Sequence, residues 1–269
     1  MPLLDRPGGS LRYEVTTLTP PWRQDPPTIL FHHGVGITAD TWLEWLPILA
    51  DRYRLVRFDM RGFGRSTVPG PGFAWSLDLL AEDALAVARA AGAERFHFVG
   101  ESLGGTLGLH LAIHHPAGLR SITVCSASHR GGAINRVRQW RAFIEREGME
   151  AWSAMMMPHR LDPDRVPADL YRWFQREQAK SSADSVLDLA DLLIGTDLTP
   201  ALGAITVPAL LLAPDSSPFV PLEIGLEIHA GIPRSEIQIF RGVRHAIVCS
   251  HARQCAGALR DFLARRALD

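Results

Sequence analysis

Residues 96–105 read FHFVGESLGG and contain the pattern G-x-S-x-G centred on Ser102. This pattern is typical of a sharp strand-to-helix turn that lifts a serine hydroxyl above the edge of a sheet. The flanks fit such a turn, because a short apolar run precedes it and residues 103–119 contain no Asp, Glu, Lys or Arg. We therefore predict a buried strand, a strained turn and a buried helix, with Ser102 as a nucleophile. The alternative is a glycine-rich turn with an idle serine.

A serine hydroxyl needs a general base, and His245 is the best-placed histidine. It ends the segment FRGVRH (residues 240–245), which follows the strand-like residues 236–240 and precedes an amphipathic helical stretch. A loop between strand and helix near the C-terminus is where a base for Ser102 is expected. The other histidines considered lack this placement and are interpreted as core or surface residues: His114, His115, His129, His159, His229 and His251.

The loop after another strand supplies a candidate oxyanion hole. Residues 28–32 are strand-like, and the sequence HGVG (residues 33–36) follows them. We expect the backbone N–H groups of Val35 and Leu103 to face a developing negative charge together. A rival interpretation makes His32 and His33 metal ligands, but adjacent strand residues point to opposite faces and no carboxylate or cysteine cluster accompanies them. We predict neither a metal site nor an organic cofactor.

Together these pieces resemble the α/β-hydrolase fold family over nearly the whole chain. The matching segments are HG (33–34), DMRGFGRS (59–66), GESLGG (100–105), VPALLL (207–212) and GVRH (242–245). The resemblance implies an α/β architecture with a mostly parallel eight-stranded sheet, helices on both faces and a helical cap inserted after strand 6. Within the family the chain looks most like small cofactor-free esterases, 3-oxoadipate enol-lactone hydrolases and C–C bond hydrolases.

The family's catalytic acid is the least typical feature of this chain. Alignment on Pro208 and Pro221 puts Ser217 where the family usually has an aspartate, and the nearest carboxylate is Asp215. We favour a reshaped loop in which Asp215 orients His245. An acid from another loop and a Ser–His dyad stay open, and so does an ordinary turn role for Asp215.

Composition favours one soluble enzyme domain. The chain has 269 residues, 46% of them hydrophobic, and a formal net charge of −1, which gives no bias toward nucleic acid or acidic membranes. Three cysteines are too few for a disulfide framework, and the first residues lack the apolar core of a signal peptide. We expect a cytoplasmic protein with a small-molecule substrate, no nucleic-acid or membrane partner, and a homodimer as an open option.

Strand and helix patterns alternate along the chain except between residues 129 and 200, where four helical stretches follow one another. We therefore divide the chain into a hydrolase core (1–128 and 201–269) and a helical cap, or lid (129–200). From the cap and the oxyanion loop we select as substrate-binding candidates His33, Gly34, Arg130, Trp140 and Met156. Arg130 heads a set of possible carboxylate anchors that also contains Arg136, Arg138, Arg141, Arg160 and Arg165.

The expected activity is hydrolysis of an ester or lactone through an acyl-enzyme on Ser102. The substrate is expected to be small and partly apolar, and a carboxylate group on it is an open option. The alternatives are C–C bond cleavage or acyl transfer at the same site, and a non-catalytic hydrolase-like binding protein. A phosphate loop at Gly100 to Gly108 is disfavoured, because the spacing fits no nucleotide motif and Glu101 would repel phosphate.

Overall fold

The computed structural model of the protein describes residues 2–134 and 139–266. Within these residues, one sheet of eight strands runs in the order β1-β2-β4-β3-β5-β6-β7-β8. The β1–β2 and β2–β4 pairs are antiparallel, and all other neighbours are parallel. The strands are β1 (Leu3–Arg6), β2 (Gly9–Thr16), β3 (Thr28–His32), β4 (Arg54–Phe58), β5 (Phe96–Glu101), β6 (Leu119–Cys125), β7 (Ala209–Pro214) and β8 (Ser235–Phe240). The predicted mostly parallel eight-stranded sheet is confirmed.

Helices cover both faces of the sheet. They are α1 (Leu46–Leu49), α2 (Leu77–Ala90), α3 (Leu103–His114), α4 (Trp140–Arg160), α5 (Ala168–Ala179), α6 (Ala183–Gly195), α7 (Leu222–Gly231), α8 (Ile247–Ser250) and α9 (Ala252–Arg265). Side chains alternate between two apolar cores, as strand geometry requires. In β3, Leu30 packs into the core that includes α2 and α3, while Ile29 and Phe31 pack into the core that includes α9.

The central strands are buried along their whole length, which explains why they read as continuous apolar runs. The sequence predicts β3 and β4 with the bounds found here. Helix α3 is shorter than the charge-free stretch 103–119, because Pro116 opens a 3₁₀ turn that leads into β6. Each parallel strand ends at the same edge of the sheet, and this edge carries the turn with Ser102.

Three α-helices are described between β6 and β7, in residues 126–134 and 139–208, where the sequence predicts four helical stretches. Helix α4 is interrupted at Gly148 (φ 82°, ψ 174°), so it consists of two straight segments. An isolated β-bridge pairs Arg130 with Asp197. It joins the two ends of the segment between β6 and β7, which we call the helical excursion. The predicted cap also includes Arg136, Val137 and Arg138, which lie outside the described residues. The division into core and cap stays our proposal.

Of the helices in residues 2–134 and 139–266, none combines the length and the apolar character that crossing a membrane requires.

Candidate active site

Ser102 lies in the sharp turn between β5 and α3. Its backbone has φ 54° and ψ −117°, a conformation that residues other than glycine rarely adopt. The turn is held by its neighbours: Ser102 N–H donates to the Cys125 carbonyl at 2.9 Å, and the Ser102 carbonyl accepts from the N–H groups of Gly105 and Thr106. Strain of this kind persists only where the surrounding structure enforces it, and it clusters at functional sites.

Two glycines make this turn possible for steric reasons. A Cβ at Gly100 would overlap the carbonyl of Gly104, and a Cβ at Gly104 would overlap the carbonyl of His32. The backbones of β5, α3 and β3 therefore approach closer than any other residue would allow. The spacing G-x-S-x-G thus has a specific packing cause here.

His245 approaches Ser102 from the loop after β8. Its Nε2 lies 3.1 Å from Ser102 Oγ, within hydrogen-bond distance, although the two residues are 143 positions apart in sequence. The ring is buried, and the edge of His245 meets the ring of Phe219 with centroids 5.0 Å apart. The structure therefore brings together the serine and the histidine that the sequence singles out.

The other ring nitrogen of His245 faces a hydroxyl rather than a carboxylate. Ser217 Oγ lies 3.0 Å from His245 Nδ1. The predicted contact of Asp215 with His245 is wrong: the Asp215 carboxylate is exposed and accepts from Ser216 Oγ at 2.8 Å and from the Gly242 N–H at 2.7 Å. Asp215 thus has the ordinary turn role, and Ser217 is the residue that lies beside the histidine.

A hydroxyl in this place does not fix the histidine tautomer. Ser217 Oγ also accepts from the N–H groups of Val220 at 3.2 Å and Phe219 at 3.4 Å. A hydroxyl has two acceptor positions and one proton, so with these bonds made its proton is free to point at Nδ1. That arrangement would protonate Nε2, the nitrogen that must be bare to take a proton from Ser102. A carboxylate, which only accepts, would exclude it.

The oxyanion candidates lie on either side of Ser102. Leu103 is the first residue of α3, so its N–H belongs to the group at a helix start that has no intrahelical acceptor. Val35 lies in the loop after β3 and lines the same cavity as Ser102. His33 holds this loop: its Nε2 accepts from the Met60 N–H at 2.9 Å, which leaves Nδ1–H to donate to the Gly34 carbonyl at 2.8 Å. Burial lowers the pKa of His33 to about 4, which keeps the ring neutral.

Two buried charged side chains complete the site. Glu101, directly before Ser102, is 3% exposed, and its Oε1 lies 3.8 Å from His245 Nε2. Arg160, at the end of α4, is also 3% exposed and donates from Nη2 to the Val35 carbonyl at 3.2 Å. Burial raises the pKa of Glu101 to about 7 against the opposing effects of Arg160 and a backbone bond from Gly34. Burial, and then Arg160, lower the pKa of His245 to about 3.

Comparison with known proteins agrees with this geometry. The sequence profile of the family described as alpha/beta hydrolase fold matches residues 27–177, more than half of the chain. The chain belongs to the α/β-hydrolase fold family. The match includes β3, the turn with Ser102 and most of the helical excursion, while Ser217 and His245 lie beyond it.

Individual relatives of this α/β-hydrolase are enzymes that cleave different bonds. A putative carbamate hydrolase RutD of Agrobacterium fabrum is 29% identical over 241 residues, which cover 83% of this chain and 87% of that protein. The 3-oxoadipate enol-lactonase 2 of Acinetobacter baylyi is 23% identical and covers 80% of each. The crystal structure of an enol-lactonase from Burkholderia xenovorans superposes with a TM-score of 0.86 at 21% identity, covering 98% of this chain and 100% of that one. The protein is thus a hydrolase.

A small cavity of about 30 Å³ lies over Ser102 and His245. Trp140 lines it, and so do Ile134 and Leu193 from the helical excursion. A volume of this size holds no more than a few water molecules. Its walls are mainly apolar, and the polar lining comes from Ser102, Thr106, Ser126, Ser128, Arg160 and His245.

Several predicted substrate-binding residues do not line this cavity. Arg130 turns outward and forms a pair of hydrogen bonds with Glu227 at 2.7 and 2.8 Å. Met156 is packed in the apolar core, and both ring nitrogens of His33 bond to backbone. Gly34 provides space: a Cβ there would overlap the Glu101 carboxylate. None of these four residues lines the cavity, and a role for them in substrate binding stays a prediction.

Arg160, Ser126 and Trp140 all line the cavity, and of these three residues sequence reasoning missed only Ser126. Arg160 Nε, Ser126 Oγ and Trp140 Nε1 are buried with no hydrogen-bond partner among the described residues. Ser126 has a positive φ of 51° at the end of β6. The position of Ser126 directly after a strand could have indicated a place in the site. Arg160 was one of several arginines in the sequence, and only the course of α4 shows that it lines the cavity. Of the same set, Arg136 and Arg138 lie outside the described residues.

Across the described part of the chain, no group of three or more His, Cys, Asp and Glu side chains has the arrangement of a metal site.

Proposed function

We propose that the protein is a serine hydrolase that cleaves a small, partly apolar, carboxylate-bearing ester or lactone through an acyl-enzyme on Ser102. The observation that carries this proposal is the 3.1 Å contact of Ser102 Oγ with His245 Nε2 under the start of α3. Because β8 and β5 bring these side chains together from distant parts of the chain, a pair with this geometry suits a nucleophile and its base.

In this mechanism Ser102 Oγ attacks the acyl carbon while its proton passes to His245 Nε2. The carbonyl oxygen becomes negative and faces the N–H groups of Leu103 and Val35, where one lost donor typically costs about 3 kcal/mol. His245 then returns the proton to the leaving group. A water molecule then attacks the acyl carbon of the acyl-enzyme while its proton passes to His245 Nε2. His245 returns this proton to Ser102 Oγ, and the carboxylic acid product leaves.

The substrate class follows from the charge and shape of the cavity. Arg160 is buried, its Nε has no partner among the described residues, and its guanidinium carbon lies 5.7 Å from the ring centroid of Phe219. A buried cation of this kind favours a substrate carboxylate. The apolar walls favour an acyl chain with few polar groups. The enol-lactonase relative supports a lactone, and the carbamate hydrolase relative supports a carbamate as a further acyl group to be tried.

Active-site titration tests the proposal. The protein is incubated with a serine-directed phosphonate, and the intact mass is read with wild type and Ser102→Ala side by side. We expect one adduct on wild type, mapped to Ser102, and none on the variant. Absence of labelling, together with no turnover of activated esters, lactones or carbamates, would favour the non-catalytic alternative. Labelling without ester or lactone turnover would favour C–C cleavage or acyl transfer.

A further inference from the structure

Glu101 is a buried carboxylate that the proposed mechanism leaves unused. It is the last residue of β5, and its Oε1 lies 3.8 Å from His245 Nε2. The loop after β3 leaves room for it, since a side chain at Gly34 would overlap Oε2. An apolar interior penalises a carboxylate strongly unless a positive or hydrogen-bonding group faces it. A glutamate at this place therefore calls for a physical explanation.

The proposed chemistry creates a charge that nothing on the Nδ1 side neutralises. When His245 takes the proton of Ser102, a buried imidazolium forms near the positive Arg160. Ser217 is neutral, and the Asp215 carboxylate is exposed and bonded elsewhere. In a complete triad an aspartate on Nδ1 stabilises this imidazolium. Here the nearest carboxylate lies on the opposite side of the ring.

We propose that Glu101 stabilises the His245 imidazolium from the Nε2 side and so replaces the missing triad acid. The inference rests on the proposed function. Glu101 acts through His245 without touching the substrate, so it is a positioning residue. At 3.8 Å the contact exceeds a hydrogen bond, and the effect is therefore electrostatic. Glu101 stays a carboxylate throughout, while the proton moves from Ser102 to Nε2 and then to the leaving group.

The groups around Glu101 set the pH range of this effect. Arg160 from α4, His245 from the loop after β8 and the backbone of Gly34 are the charged or polar groups facing it. Cys125 of β6 and Cys249 of α8 stay neutral, because burial raises the pKa of both thiols. Since burial raises the pKa of Glu101 to about 7, its charge is lost as the pH falls through 7. His245 itself stays neutral far below that pH.

The first experiment is the pH profile of kcat for Glu101→Gln, Glu101→Asp and wild type. We expect wild-type kcat to rise with pH through about 7. Glu101→Gln should lose roughly 100-fold at pH 8, less than the four orders of magnitude known for a directly bonded triad aspartate, and its profile should be flat near pH 7. Glu101→Asp should restore part of the rate. Asp215→Asn is the matched control, since it makes the same chemical change in an exposed carboxylate and should keep the wild-type profile.

The second experiment separates an electrostatic role from a structural one. Glu101→Gln is made in a Ser217→Asp background, where a carboxylate again faces Nδ1. If Glu101 replaces the acid, its loss should now cost less than about fivefold, because neighbouring groups that share a role are non-additive. An equal loss in both backgrounds would overturn the inference, as would an unchanged rate in Glu101→Gln.

Different results would contradict the proposed function and the role of Glu101. A wild-type protein with no labelling and no turnover contradicts the proposed function, whatever Glu101 does. A turning-over wild type whose kcat does not change between pH 5 and 8 contradicts the role of Glu101 alone. If Glu101→Gln does not fold, this wild-type profile and Glu101→Asp still decide between the outcomes.

Discussion

The turn after β5 and the loop after β7 both reach His245, but they depend on their sequence in different ways. The turn is fixed locally: Gly100 and Gly104 are required by contacts within a few ångströms, and they leave room for the turn in which Ser102 has a positive φ. The loop after β7 keeps its course with Ser217 where the family usually has an acid, and Asp215 is left exposed. A pattern with a steric cause can therefore be recognised in the sequence, whereas the hydrogen-bond partner of a side chain depends on the path of the loop in the folded chain.

The two carboxylates nearest this centre show the same contrast. Asp215 is close to the expected position in sequence, but its oxygens accept from Ser216 and Gly242. Glu101 sits inside the motif and lies 3.8 Å from His245 Nε2. Proximity in sequence to a motif position thus predicts less about an electrostatic role than burial and distance do.

The largest expected effect belongs to the turn. Ser102→Ala should lower kcat by about 10⁶-fold, as removal of a serine nucleophile does in a serine protease, with the fold retained because alanine fits the same turn. Steady-state kinetics on an activated short-chain ester, with circular dichroism as the folding control, measures this. Activity within tenfold of wild type would contradict a nucleophilic Ser102.

The next effect concerns Arg160, the cation that faces the cavity. Arg160→Gln should weaken transition-state binding of a carboxylate-bearing ester by about 2 kcal/mol, since charged hydrogen bonds contribute on this scale. This corresponds to roughly 30-fold in kcat/KM. A neutral ester of the same length should lose much less. Arg130→Gln is the matched control, because Arg130 pairs with Glu227 outside the cavity. Equal losses on both esters would contradict binding of a substrate carboxylate by Arg160. The role left for Arg160 would then be its hydrogen bond to the Val35 carbonyl.

A gain is expected from the loop after β7. Ser217→Asp should raise kcat about tenfold, because a carboxylate accepts from His245 Nδ1–H and so selects the tautomer with a bare Nε2. Ser217→Asn has nearly the same shape without the charge and serves as the control. The measurement is kcat of both variants at saturating substrate. If Ser217→Asp is no faster than Ser217→Asn, the neutral hydroxyl of Ser217 does not limit kcat.

The smallest effect is expected from Asp215. Asp215→Asn should change kcat by less than about threefold, since an exposed side chain with no contact to His245 has no route to the chemistry. Its amide oxygen still accepts from the Gly242 N–H. The same kinetic assay applies, and a loss near 10⁴-fold, the value for a triad aspartate, would restore Asp215 as the acid.

Local rules were enough to predict most of the fold and the pairing of Ser102 with His245. The apolar runs of β3, β4 and β5, the glycine spacing around Ser102 and the strand-to-helix place of His245 all follow from burial and backbone sterics. Each of these signals acts over a few residues. They can therefore be read directly from the chain.

The partners of His245 and the lining of the cavity depend on distant segments. Ser217 reaches His245 because β7 and β8 are neighbours, and α4 carries Arg160 to the oxyanion loop across 125 residues of sequence. The sequence favoured Arg130 among the arginines and Asp215 as the carboxylate. In the structure, Arg160 and Glu101 are the buried ones at the site. Burial separated them, because the same charged group has little effect in water and a large effect in an apolar interior. Such differences exist only after the chain has folded.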